Sequence, residues 1–295
     1  MRSLSLRFYL DRLITSAVVF GFVLAAARGA AQELSKLPYV PTPQIVVDEM
    51  LKLAGVTAND FVIDLGSGDG RVILTAAQKF KAHGLGVDID KSLVALSNKQ
   101  AKVEGVEDRA KFIEQDMFKA DISKASVVTL YVLPDFMEKL RPKLVSELRP
   151  GARIVAHDYY MSGWYPDKRL DLTVPEKVAA NGTDKAYLYL WIVPSLVSGT
   201  WRLEFDSGGS QQQLVVLGIN QQYQIISVSA ENALGPMKIE NPLLRGNEIS
   251  FAASVGSIAY KFTGRVTEKT MIGTAVSSSS AKPVAWKASK LASEK

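Results

Sequence analysis

Asp64 and Asp69 share a seven-residue stretch, DLGSGDG, with three glycines, Gly66, Gly68 and Gly70. An apolar run enters the stretch and another leaves it. Glycines between a strand and a helix let backbone N–H groups approach a ligand closely, and a helix N-terminus favours negative charge. Such a loop suits a pyrophosphate or a carboxylate. The spacing Gly66-Ser67-Gly68-Asp69-Gly70 is not the G-x-G-x-x-G dinucleotide fingerprint. Asp64 and Asp69 would both repel a pyrophosphate. A ligand with an ammonium and a carboxylate, as in an amino acid, fits better: Asp64 accepts from the ammonium, directly or through water, while the loop amides hold the carboxylate.

Two further acids extend this chemistry. Asp88 follows Gly70 by 18 residues and ends the next expected strand. A carboxylate there takes both ribose hydroxyls, as acids do at this place in dinucleotide folds. As a helix cap it is redundant, because Asp90 fills that role. Asp116 ends the third expected strand, where it either accepts from the exocyclic amine of an adenine or simply shapes the strand-end turn. An amino acid joined to a ribose and an adenine is S-adenosylmethionine.

These residues need elements to hold them, and the flanking pattern alternates strands with helices. Thr42 and Pro43 suit the start of a helix that carries Ile45, Val46, Met50 and Leu51 and stops at Gly55. DFVIDL reads as a buried strand, RVILTAAQKF as a helix and GLGVDID as a strand. KSLVALSNKQAKVEG is a helix between Asp90 and Gly105. AKFIEQD and SVVTLYV are strands, and PDFMEKLRPKLVSEL is a helix that Pro142 should bend or split. ARIVAHDY is a fifth strand. This alternation predicts an α/β fold with a doubly wound, mostly parallel sheet. RLDLTVPEKV and AYLYLWIV flank Asn181-Gly182 as a closing antiparallel hairpin.

The pattern changes at residues 194–199. GTWRLEF alternates, with Trp201, Leu203 and Phe205 on one face, and SIAYKFTG does the same with Ile258, Tyr260 and Phe262. Turn signals recur at Ser207-Gly208-Gly209, Gly246-Asn247 and Gly256. Together they predict a C-terminal small antiparallel β domain, a sandwich or barrel. Trp201, Tyr260, Phe262 and Trp286 read as its core. The chain thus divides into residues 1–31, an α/β domain over 37–194 and a β domain over 197–291. The β domain either supports the first domain or, as a lipocalin-like barrel, holds an apolar ligand.

DLGSGDGRV, GVDID, EQDMF and LRPGARIV resemble the class I S-adenosylmethionine-dependent methyltransferases. LPYVPTPQIVVDEML, VVTLYVLPDFMEKLRPKL, AHDYYMSGWYPD and YLYLWIVP resemble, more narrowly, a bacterial group related to the lysine methyltransferases of mitochondrial carriers and of the ATP synthase c subunit. The resemblance covers residues 37–194. It implies a seven-stranded sheet with an antiparallel last strand and S-adenosylmethionine as cofactor. It implies cofactor roles for Asp64, Gly66, Ser67, Gly68, Asp88 and Asp116. The methyltransferases of nucleobase and glutamine amines carry an (Asp/Asn)-Pro-Pro-aromatic motif after the fourth strand. This chain has YVLPD there, which argues against those substrates.

A sulfonium already activates its methyl group, so the protein needs only to align an acceptor lone pair and exclude water. A lysine acceptor must first lose a proton, at a cost of about 4–5 kcal/mol at pH 7, which an aromatic pocket and a nearby positive charge reduce. Tyr39, Tyr131, Pro134, His157, Asp158, Tyr159 and Tyr160 fall at the strand ends where open α/β sheets bind ligands. Tyr39, Tyr131, His157 and Asp158 are the catalytic candidates, with His157 a possible base. Each has a plainer reading as a packing or loop-pinning residue.

Composition narrows the field. The chain has 295 residues, no cysteine and two histidines, His83 and His157. Thiolate chemistry, disulfides and cysteine zinc sites are excluded, and no metal site is expected. The net charge is +5, but Arg2, Arg7, Arg12 and Arg28 against Asp11 account for +3 of it, so no nucleic-acid partner is expected. Those arginines, the uncharged run Leu13–Ala27 and the small residues to Ala31 have the form of a secretory signal. The expectation is export to the periplasm or beyond. If the segment is uncleaved, it tethers the protein to the inner membrane and is its only membrane contact. Two functions follow: a methyltransferase of an amine such as a protein lysine, or a secreted ligand-binding protein with an inactive methyltransferase-like domain.

Overall fold

The computed structural model describes residues 39–206, 212–233, 235–255 and 257–292. The predicted signal, residues 1–31, lies outside them.

Helix α1, Gln44–Leu53, opens the described chain, one residue beyond Pro43. Its buried side chains are Val46, Val47, Met50 and Leu51, whereas Ile45, expected on that face, is half exposed. Then come β1 (Phe61–Leu65), α2 (Arg71–Phe80), β2 (His83–Asp88), α3 (Lys91–Val103), β3 (Ala110–Glu114) and β4 (Val127–Leu130). Helix α4 (Pro134–Glu147), β5 (Arg153–His157), β6 (Lys168–Thr173), α5 (Lys177–Asn181) and β7 (Lys185–Ile192) complete the first unit. Pro142 does not split α4, which runs through it as one helix.

The seven strands form one sheet in the order β3-β2-β1-β4-β5-β7-β6. β1 to β5 are parallel, and β7 runs antiparallel to both β5 and β6. The order reverses between β1 and β4, and open α/β sheets bind ligands beyond the strand ends at such a switch point. Alternation within each strand sorts side chains to two faces. Val62 and Val155 join the core under α1, α2 and α3. Ile63, Leu65, Ile154 and Ala156 join the core under α4. Asp64 and His157 therefore point towards the α1 side.

β6 and β7 pair as predicted, but Asn181-Gly182 is not a tight hairpin turn. Asn181 ends helix α5, and Gly182 follows it at φ +70° in the left-handed conformation that terminates helices.

After residues 193–198 the chain builds a nine-stranded antiparallel sheet. Its strands are β8 (Gly199–Asp206), β9 (Gln212–Gln222), β10 (Ile225–Asn232), β11 (Gly235–Met237), β12 (Ile239–Arg245), β13 (Glu248–Val255), β14 (Ile258–Val266), β15 (Thr270–Ser277) and β16 (Ser280–Lys290). The order is β11-β10-β9-β8-β16-β15-β14-β13-β12, and the sheet curls until β10 lies against β12. Its inner face is a packed core in which Trp201, Phe205, Tyr260, Phe262 and Trp286 are all buried. Each such side chain contributes about 1.5–3 kcal/mol of burial. Large rings in mutual contact, such as Phe251 on Phe262 at 4.8 Å, fill the interior as in small closed sheets.

Candidate functional site

Three glycines shape the loop after β1. Gly66, Gly68 and Gly70 all have positive φ, at +84°, +53° and +80°. The Gly66 and Ser67 amides both donate to Val87 O, at 2.8 and 3.0 Å, which ties the loop to β2. A Cβ on Gly68 would lie 2.4 Å from the Tyr39 ring, so only glycine lets the two meet.

A cavity of about 310 Å³ opens above this loop and reaches past the ends of β1, β2, β4 and β5. Small-molecule sites typically start at about this size. Asp64, Gly66, Ser67, Gly68 and Asp88 line the glycine-loop end, with Gln115 and Met117 beyond Asp88 after β3, and Tyr131, Tyr159 and Asn181 line the other end, past β4 and β5. Tyr39 and Thr42, from the segment before α1, cross over the loop and complete the wall.

Asp64 is buried, and Thr129 Oγ1 donates to its Oδ1 at 2.7 Å. Burial pushes its pKa up to about 7, with Asp88 and Asp69 adding to the rise and Thr129 opposing it. A carboxylate so placed gains most from a cation beside it. Asp88 accepts from the Gly68 amide at 2.7 Å and from the Asp90 amide at 2.9 Å. Each oxygen keeps a lone pair for a ligand hydroxyl. Asp90 caps α3, as predicted, through the Ser92 and Leu93 amides.

Asp69 does not act as a free negative charge. Arg71 binds it in a fork, Nε to Oδ1 at 2.9 Å and Nη2 to Oδ2 at 2.5 Å. Arg71 Nη1 also donates to Thr42 O at 2.7 Å, and the Tyr39 hydroxyl bonds Asp69. The pair fastens the N-terminal strap over the loop. Rejection of phosphate therefore rests on Asp64 and Asp88, not on Asp69.

Asp116 takes the turn role that the sequence left open beside adenine contact, between Gln115 and Met117, which line the cavity. Asp116 Oδ1 accepts from the Phe118 amide at 2.9 Å, as a short acid at a strand end does.

At the far end the structure separates four residues that the sequence grouped. Tyr131 lines the cavity, and its hydroxyl accepts from Asn181 Nδ2 at 3.2 Å. His157 lies behind Tyr131, ring centroids 4.1 Å apart, and is fully buried. Burial holds its pKa down to about 4; Asp158 opposes that shift and Lys177 adds to it. Its two ring nitrogens face Thr42 Oγ1 and Lys177 Nζ, each at 3.4 Å, and not the open cavity, which argues against a role as base for the acceptor. Asp158, at φ +62°, also stays out of the wall. Its Oδ2 accepts from Lys177 Nζ at 2.5 Å and its Oδ1 from the Tyr187 amide at 3.1 Å. This pair, with Lys177 buried and Asp158 partly so, fixes α5 and, at its other end, Asn181. Tyr39 remains in the wall, as the strap residue over Gly68.

Sequence reasoning missed Asn181, Thr129 and Lys177. Asn181 was visible only as a turn residue, and Thr129 sits inside an apolar strand. Lys177 gave no signal, because nothing in the sequence shows a lysine 1% exposed against Asp158.

Comparison with known proteins agrees with this geometry. The profile of the family described as ANTKMT methyltransferase domain matches residues 64–168, within the α/β unit. A protein-lysine N-methyltransferase of Saccharolobus islandicus is 45% identical over 133 residues, spanning 44% of this chain and 81% of that protein. The human lysine N-methyltransferase of the ATP synthase c subunit is 33% identical over 174 residues, 59% of this chain and 67% of that one. An RNA methyltransferase of Salinibacter ruber, solved with S-adenosyl-L-homocysteine, is 45% identical with a TM-score of 0.49, covering 54% of this chain and 96% of that chain. With Asp64, the glycine loop and Asp88 converging on one cavity, the profile and the two lysine methyltransferases make the chain a member of the class I S-adenosylmethionine-dependent methyltransferases, in the family of the protein-lysine N-methyltransferases.

Proposed function

We propose that the protein methylates the side-chain amine of a lysine in a protein acceptor. The observation that carries this is the continuity of the cavity: the acidic glycine-loop end and the end walled by Tyr131, Tyr159 and Asn181 are one space. Asp64 receives the ammonium of the cofactor's amino-acid part and Asp88 its ribose hydroxyls; the amides of Gly66, Ser67 and Gly68, expected to hold its carboxylate, instead donate to Val87 O and Asp88 and so shape the loop. S-adenosylmethionine bound there supplies a methyl group already activated by its sulfonium.

The rest falls to the aromatic end. Tyr131 and Tyr159 lie nearly parallel, with centroids 6.3 Å apart and an interplanar angle of 16°. Aromatic walls exclude water and lower the pKa of an entering amine by desolvation. Asn181 holds the Tyr131 hydroxyl and so fixes that ring. With His157 walled off, the amine sheds its proton to solvent before it enters.

An assay with S-adenosylmethionine and poly-L-lysine, read by mass spectrometry, tests this reading. The expected result is methyl groups on lysine side chains, lost in Asp88→Ala. Methyl transfer to RNA with none to lysine would overturn it. Residues 1–31 support an exported or membrane-tethered location, which fractionation and the mass of the mature chain check.

A further inference from the structure

The matched family profile ends at residue 168, leaving the C-terminal sheet without a role. One contact links that sheet to the acceptor end of the cavity. The loop after β5, residues 158–167, carries Tyr159 in the cavity wall and Trp164 in the core under α4. The connection between β9 and β10 is two residues long, Tyr223 and Gln224. Tyr223 stacks face to face on Trp164, centroids 4.9 Å apart and planes 7° from parallel. Trp164 Nε1 donates to Gln224 Oε1 at 2.9 Å, and Gln224 Nε2 donates to Tyr165 O at 2.5 Å. The turn therefore grips the loop by one ring and two hydrogen bonds.

The local sequence of this turn is unfavourable. Tyr223 sits at φ +53°, and two-residue hairpins prefer Asn or Gly at such positions. A bulky side chain with positive φ persists only where its surroundings hold it there. Here the side chain packs against the α/β core. Gln221 fixes the turn from behind: Nε2 donates to Tyr223 O at 2.8 Å and to Ser195 O at 2.8 Å, and Oε1 accepts from the Val197 amide at 2.7 Å. The linker, the turn and the acceptor-side loop thus form one braced unit. Glu138 holds the middle of the loop through the Ser162 amide at 2.5 Å; the half after Gly163 is held by the turn and by β7, where Trp191 Nε1 donates to Trp164 O at 2.8 Å and the Asp167 amide to Leu190 O at 2.7 Å.

We propose that Tyr223 and Gln224 are positioning residues through which the C-terminal sheet sets the acceptor-side loop, and with it Tyr159 and acceptor affinity. The proposal rests on the functional reading above for what enters the cavity. A loop released from the turn samples more conformations, and the apparent acceptor affinity falls by the fraction still competent. Saturating acceptor restores the ordered loop, so turnover is largely retained.

The test uses the full chain with Tyr223→Gly and Gln224→Ala together. Glycine relieves the positive φ, so the hairpin itself should still form. Hydrogen exchange of residues 159–166 should accelerate about tenfold with the C-terminal strands unchanged. The KM for poly-L-lysine should rise about tenfold, with kcat and the Kd for S-adenosylmethionine within about twofold of wild type. Tyr223→Phe alone keeps the ring and should keep the wild-type KM. Unchanged exchange in the loop overturns the proposal, and so does faster exchange with an unchanged KM. A wild-type chain that fails to methylate poly-L-lysine speaks against the functional reading instead, and the exchange measurement then decides the clasp alone.

Discussion

Asp64 shows most sharply how a binding residue works against the fold that holds it. Its folded pKa, raised by burial to about 7, exceeds the ordinary value of 3.8. The folded protein therefore keeps this proton where the unfolded chain has lost it. As pH climbs from about 4 to about 7, the ligand-free protein loses stability through this group, and above that the penalty is complete. Asp64→Asn should raise the melting temperature of the ligand-free protein at pH 8, since Asn can still accept from Thr129. A bound ammonium needs the carboxylate ionised. Cofactor affinity measured by calorimetry should therefore tighten as pH rises towards about 7 and then level off. Asp64→Asn should flatten that dependence and weaken binding by about 2 kcal/mol. A wild-type affinity independent of pH between 5 and 8 would contradict this role for Asp64.

His157 makes the opposite prediction. It sits behind the wall residues Tyr131 and Thr42, and burial keeps it neutral down to about pH 4. At saturating cofactor, the log of kcat/KM for the acceptor should climb steadily from about pH 7 to 9 as the amine deprotonates, with no inflexion near the ordinary histidine value of about 6.5. An inflexion there that disappears in His157→Gln would reinstate it as a base. Asp64, the glycines and Asp88 were legible because their spacing from strand ends is local. The roles of His157, Asp116 and Asp158 were not. Each depends on which neighbour reaches the side chain: the Tyr131 ring, the Phe118 amide and Lys177 respectively.

At the scale of elements, the loop and its strap are a single device. The strap lies on Gly68 through Tyr39 and is stapled by Arg71 through Thr42 O. Gly68→Ala would drive a methyl into the Tyr39 ring and strain a positive φ. It should weaken cofactor binding more than tenfold and leave the melting temperature of the C-terminal sheet unchanged, with about 1–3 kcal/mol of strain confined to the loop. Nearly every strand and helix of the α/β unit was readable from hydrophobic period and caps. α5 was not: five residues are too few for a helical period, and Asn-Gly is an equally good hairpin signal. That miss concealed Asn181, because a turn residue has no reason to face a cavity.

Across the whole molecule, two sheets with separate cores meet through a linker and a few side chains. The division near residues 194–199 could be seen as a change from helical to alternating period. The contact between the units could not, since Tyr223 and Trp164 are far apart in sequence and carry no shared pattern. The C-terminal core of packed rings favours a supporting role over storage of an apolar ligand, and the turn at Tyr223 gives that support a target. Trp164→Ala removes the loop's side of the same contact. It should destabilise the α/β unit by about 3–5 kcal/mol, read as a fall in the denaturant midpoint of that unit.

One cavity, acidic at its glycine-loop end, accepts S-adenosylmethionine. Titration calorimetry of the chain against S-adenosylmethionine tests it most directly. Binding should be saturable and one-to-one, weakened by about 3 kcal/mol, on the order of a hundredfold, in Asp88→Ala. No heat at about 1 mM cofactor, or binding indifferent to Asp88→Ala, would contradict it.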